Sequence, residues 1–139
     1  MSEENKDLLM RYHTAWGQGD IPTLLHTLHA DYVSIDPVSG EGSGRIREGE
    51  NCRLWHESFE DTELRVEQII AEGDRVSVYW TLMGTHTGEY AGVPATGRSV
   101  VIPGLEMHRI EDGQIRETWR LTDVWSMMLQ LDALNFHPE

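Results

Sequence analysis

The residues best equipped for chemistry flank the dipeptide Asp112-Gly113. Asp-Gly between alternating segments signals a two-residue hairpin turn. Such a turn sets Ile110 against Ile115, an apolar match. The pairing then runs His108 with Glu117, Glu106 with Trp119, Gly104 with Leu121 and Ile102 with Asp123. Alternation puts these positions on one face and Leu105, Met107, Arg109, Arg116, Thr118 and Arg120 on the other. The face that its isoleucines, Leu121 and Trp119 mark as interior therefore also carries His108, Glu106, Glu117 and Asp123. A buried carboxylate is paired, protonated or functional. Apolar surroundings raise its pKa and make it a better base near neutral pH. A nearby histidine can relay a proton or hydrogen-bond a developing oxyanion. Structural roles stand beside these: a His108–Glu117 cross-strand pair, an arginine partner for Glu106, and a helix cap for Asp123.

Other candidates surround this hairpin. Tyr12 and Trp16 have the spacing of core residues and could floor a cavity, and Trp55 belongs to the inner side of a later helix. His86 lies two positions past Gly84 on the Trp80 face and could reach a cavity mouth. His13, His26, His29 and His56 sit on helices without ligand spacing, so no metal site is expected. Cys52 is the only cysteine, which forbids an internal disulfide, and it reads as a structural thiol. The run Ser39-Gly-Glu-Gly-Ser-Gly44 lacks the lysine and hydroxyl of a phosphate loop and reads as a flexible connection.

These residues need elements to position them. Leu8, Leu9, Tyr12 and Trp16 form one stripe of a helix that Gly17 and Gly19 stop. Asp20 caps a second helix with Pro22 in its first turn. A short strand from Asp31 to Asp36 follows, then a third helix to about Phe59 with Ile46, Leu54, Trp55 and Phe59 inward. From Thr62 the period is two: one strand to the Glu72-Gly73-Asp74 turn, a second through Val76 to Met83, a third from Ser99 to Ile110 and a fourth from Gln114 to about Asp123. A closing helix turns Trp125, Met128, Leu129 and Leu131 inward. Helices before an antiparallel meander imply an α+β fold, a cone of curved antiparallel sheet closed by helices, whose mouth suits a small ligand.

The chain has 139 residues, the length of one domain, so residues 1–139 read as a single unit. Its net charge of −13 argues against nucleic acid and anionic membrane as partners. The acidic N-terminus does not read as a secretory signal, and no apolar run is long enough to span a membrane. A cytoplasmic location is expected.

The run His86-Thr-Gly-Glu-Tyr-Ala-Gly-Val-Pro-Ala-Thr-Gly97 and the run Arg109-Ile-Glu-Asp-Gly-Gln-Ile-Arg-Glu-Thr-Trp119 resemble the SnoaL-like polyketide cyclase family. So do the Tyr12 region, Gly19-Asp20 and the Glu72-Gly-Asp-Arg-Val76 turn; Glu117-x-Trp119-x-x-x-Asp123 is the most specific part. The family belongs to the nuclear transport factor two-like superfamily of cone-shaped folds. The resemblance implies a reaction without metal or cofactor. An aspartate ending the last long strand, here Asp123, removes a proton next to a carbonyl, and the enolate attacks a second carbonyl in an aldol ring closure. A histidine on the neighbouring strand, here His108, assists. Tyr12, Trp16, Trp55, His86, Glu106 and Trp119 are the candidates for contact with a small apolar carbonyl compound. A non-catalytic ligand-binding dimer, or an isomerase, dehydratase or hydroxylase of the same fold, remains an alternative. The outer sheet face, with Tyr79, Leu105 and Met107, predicts a homodimer.

Overall fold

The computed structural model describes residues 2–133. The order is α1 (Ser2–Gln18), α2 (Ile21–Thr27), β1 (Leu28–Ile35), β2 (Gly42–Ser43), α3 (Arg45–Ser58), β3 (Phe59–Glu72), β4 (Arg75–His86), β5 (Ser99–Glu111), β6 (Gln114–Thr122) and α4 (Val124–Gln130). One curved six-stranded sheet runs β2-β1-β6-β5-β4-β3, with β1 parallel to β6 and the other neighbours antiparallel. The helices close its concave side, and the fold is α+β. No described helix is long and apolar enough to cross a membrane.

The buried side of α1 is Leu8, Leu9, Tyr12, His13 and Ala15, a stripe at helical spacing that includes a histidine. Asp20 caps α2 by accepting a hydrogen bond from the Thr23 amide. In α3 the inner residues are Glu48, Gly49, Cys52 and Trp55, while Ile46 and Leu54 are exposed. The expected inner face was therefore rotated: Glu48, Cys52 and Trp55 recur at four and three residues, and Ile46 and Leu54 fall off that line. Phe59 is buried as the first residue of β3, not as the end of the helix. In α4, Met127 and the following Leu131 are buried, whereas Trp125 and Leu129 point outward.

The β5–β6 hairpin decides what faces the interior. Asp112 and Gly113 both have positive φ, as a type I′ turn requires, and Ile110 pairs with Ile115 as predicted. The register then slips. Arg109 pairs with Glu117, His108 with Thr118, Glu106 with Arg120 and Gly104 with Thr122, so Arg116 is an extra residue in β6. Beyond such a bulge every side chain changes face. Thr118 and Arg120 enter the interior; Glu117, Trp119 and Leu121 leave it. The expected His108–Glu117 and Glu106–Trp119 pairs do not form.

Candidate active site

A cavity of about 290 Å³ lies between α1, α3 and the concave sheet face. Its apolar wall includes Trp16, Trp55, Leu82, Ile102 and Met127. Trp55 is fixed by its indole N–H donating to Thr62 Oγ1 and by stacking on Phe59 at 3.8 Å between centroids. The opposite end is polar: Tyr12 and His13 from α1, Glu48 from α3, Glu106 from β5 and Arg120 from β6. Asn51 adds an amide to the same wall.

Glu106 is the hub of that polar end. Its Oε1 accepts from Trp80 Nε1 and from Arg120 Nε, each at 2.8 Å. Its Oε2 lies 2.6 Å from His108 Nε2 and 3.6 Å from His13 Nε2. Burial alone would push the carboxyl pKa up. The Arg120 guanidinium and then His108 outweigh burial and hold it well below the usual carboxylate range. The expectation of a raised value is thereby reversed. An ionised carboxylate only accepts, so His108 Nε2 is the donor, and its Nδ1 meets Thr118 Oγ1 at 2.7 Å.

Arg120 ties the elements together. Its Nη2 donates to Tyr12 Oη at 2.8 Å and to Glu48 Oε1 at 3.3 Å, and its Nη1 to Glu48 Oε2 at 3.3 Å. Tyr12 in turn donates to Glu48 Oε1 at 2.6 Å, and burial pushes its phenol pKa well up. A guanidinium has five N–H groups. One on Nη1 is left over after these contacts.

His13 differs from its neighbours. Both ring nitrogens are buried without a hydrogen-bond partner among the described residues. Burial lowers its pKa to about 4 against the pull of Glu106, so the ring is neutral near pH 7. Two carboxylates, Glu48 and Glu106, thus surround one guanidinium. His13, Glu106 and His108 also bring their ligand atoms within 4.8 Å of one another, a buried set among the described residues that could hold a cation. The Arg120 and His108 hydrogen bonds compete for that same carboxylate.

Of the residues expected at the site, Tyr12, Trp16, Trp55 and Glu106 line the cavity. His108 is fully buried behind Glu106 and does not reach the wall. His86 is buried under Phe59, its Nδ1 accepting from the Thr96 amide at 3.2 Å; it holds the β4–β5 loop rather than a ligand. Trp119 lies on the outer face beneath Arg75, whose guanidinium carbon is 5.3 Å from the ring. Asp123 is exposed and caps α4, accepting from Ser126 N at 2.9 Å. It borders a shallow depression on the outer side with Tyr79 and Leu105, not the cavity. Cys52 is buried and its thiol is pushed up to about 12 by burial and then by Glu48, which fits the structural role.

Sequence reasoning missed His13, Glu48, Asn51 and Arg120. Two carried a signal. His13 is four residues after Leu9 and three before Trp16, on the apolar stripe itself; Glu48 extends the Cys52–Trp55 line by one turn. Arg120 could not be seen inside without knowledge of the bulge.

Several known proteins are similar to this chain. Aklanonic acid methyl ester cyclase DnrD of Streptomyces peucetius is 29% identical over 116 residues, 80% of this chain and 79% of DnrD. AclR of Streptomyces galilaeus, a proposed hydroxylase, superposes with a TM-score of 0.88 at 27% identity over 100% of this chain and 87% of its own. IdmH of Streptomyces antibioticus, a proposed polyketide cyclase, gives 0.82 at 29% identity over 92% and 98%. The model of the SnoaL-like polyketide cyclase family matches residues 6–131, nearly the whole chain. The fold, the cavity and these matches agree: the chain belongs to the SnoaL-like polyketide cyclase family.

Proposed function

We propose that the protein removes a proton next to a carbonyl of a small apolar compound held in the interior cavity, and that the resulting enolate closes a ring onto a second carbonyl, whose oxygen takes the proton back from the base as it becomes a hydroxyl. One observation carries this reading. The polar end of the cavity sets two carboxylates around one guanidinium, beside a neutral, unpartnered imidazole, His13. A proton taken up on His13 sits beside the Glu106 carboxylate. His13 is the base in this account. Glu106 orients its ring and stabilises the imidazolium, and the 3.6 Å separation shortens to a hydrogen bond in the substrate complex. His108 and Trp80 hold Glu106 and are positioning residues. The spare Arg120 N–H donates to the developing enolate oxygen. The apolar wall keeps the two carbonyls close and dry, which supplies the proximity an aldol step needs.

DnrD is named as a cyclase, which supports ring closure as the reaction class. A second reading keeps Asp123 as the base, as the family resemblance implies; its place between Thr122 and Val124, both of which line the cavity, favours it. The assay is hydrogen–deuterium exchange at the alpha carbon of ethyl alpha-methylacetoacetate in deuterium oxide, followed by NMR. The protein is expected to accelerate exchange over buffer. Quenching of tryptophan fluorescence by the same compound with no acceleration would mean a binder without catalysis.

A further inference from the structure

Arg120 borders a second space as well as the cavity. This second space, a more open groove of about 550 Å³, lies between the loop that joins β1 to β2 and the start of α4. Arg120, Thr122 and Val124 line both spaces, so the two meet at these side chains. The cavity alone sits at the lower limit of small-molecule sites, which run from roughly 300 to 1,000 Å³; the groove is the larger compartment.

The groove has its own chemistry. Ser34, Ser39, Ser43 and Thr122 offer hydroxyls beside the apolar Ile35 and Val38. Asp36 and Glu41 are the carboxylates of its wall, and Asp36 Oδ1 already accepts from the amides of Val38 and Ser39 at 2.7 and 3.1 Å. The positive charge of Arg120 is spent on Glu106 and Glu48. An anionic group here would meet two carboxylates in a chain of net charge −13, whereas uncharged hydroxyl, ether or ester oxygens would find hydrogen-bond partners.

We infer that the substrate is longer than the cavity: an apolar carbonyl head occupies the cavity, and an uncharged, oxygen-bearing tail crosses Arg120 and lies in the groove. This rests on the cavity reading above and extends it to the substrate's class. Arg120 stands where head and tail join, which puts its remaining N–H within reach of a carbonyl at that junction.

Three ethers of methyl beta-naphthyl ketone test it, carrying a methyl, a dihydroxypropyl or a carboxymethyl group. Trp16, Trp55 and Trp80 line the cavity, so quenching of intrinsic fluorescence reports binding of the head. The dihydroxypropyl ether is expected to bind about tenfold tighter than the methyl ether, and the carboxymethyl ether more weakly than the dihydroxypropyl one. Ser34→Trp, which fills the groove, should abolish the gain and leave the methyl ether's affinity within about twofold. Val38→Trp repeats the test at an exposed loop position should Ser34→Trp fail to fold. Equal affinities of the methyl and dihydroxypropyl ethers, a gain that survives both variants, or a carboxymethyl ether that binds tightest would overturn the inference while leaving the cavity reading intact. No binding of the methyl ether would overturn the cavity reading and the inference together.

Discussion

His13 shows how one buried side chain makes stability depend on pH. Its lowered pKa means that the folded protein refuses, until about pH 4, a proton that the unfolded chain takes up near pH 6.5. The unfolded state therefore binds more protons between those values, and stability falls as pH drops through them. At about pH 5 the penalty from this residue is on the order of 2 kcal/mol. Glu106 works in a lower window: its depressed pKa contributes stability above the ordinary carboxylate range, lost only in stronger acid. Urea unfolding of the wild type and His13→Gln at about pH 7 and about pH 5 separates the two. The wild type should lose roughly 2 kcal/mol more than the variant over that interval. Equal losses would show that His13 is not held neutral by the fold.

At the scale of elements, the fold was legible and one register was not. Helical stripes, period-two strands and the Asp112-Gly113 turn identified the α+β order, because each follows from local spacing. The Arg116 bulge left no local signal. Ile110 and Ile115 matched in either case, and one added residue moved Trp119 out and Arg120 in. Charge could have warned of it. A face holding Glu106, Glu117 and Asp123 with no arginine is costly, and the observed register supplies Arg120 to Glu106 and Arg109 to Glu117. The β4–β5 pairing adds a constraint of its own. Gly104 lies opposite Trp80, and a Cβ there would stand 2.1 Å from Trp80 Cζ2. Gly104→Ala should push the indole off Glu106 and destabilise the protein by about 1–3 kcal/mol or more. Thermal and urea unfolding would check this, and wild-type stability would contradict the packing described.

The whole molecule presents an apolar outer sheet face. Val101, Leu105, Met107 and Leu121 are each about half exposed, with Tyr79 beside them. A continuous patch of this kind is a liability in a monomer and a natural two-fold contact, so a homodimer through this face is proposed. Size-exclusion chromatography with light scattering at micromolar concentration should give a dimer for the wild type and a monomer for Leu105→Glu. A monomeric wild type would refute it. The net charge of −13 belongs mainly to turns and helix surfaces and keeps this apolar face from indiscriminate association. Only Glu48 and Glu106 of the acidic side chains are buried among the described residues, and both meet at the cavity's polar end.

The central claim is that the proton acceptor lies inside the cavity. The most direct measurement is the exchange rate of ethyl alpha-methylacetoacetate in deuterium oxide for wild type, His13→Gln and Asp123→Asn, each checked for folding by circular dichroism. The account predicts a loss of about 100-fold or more in His13→Gln and a rate near wild type in Asp123→Asn. The reverse pattern, with Asp123→Asn inactive and His13→Gln unaffected, would contradict it and place the base at the rim.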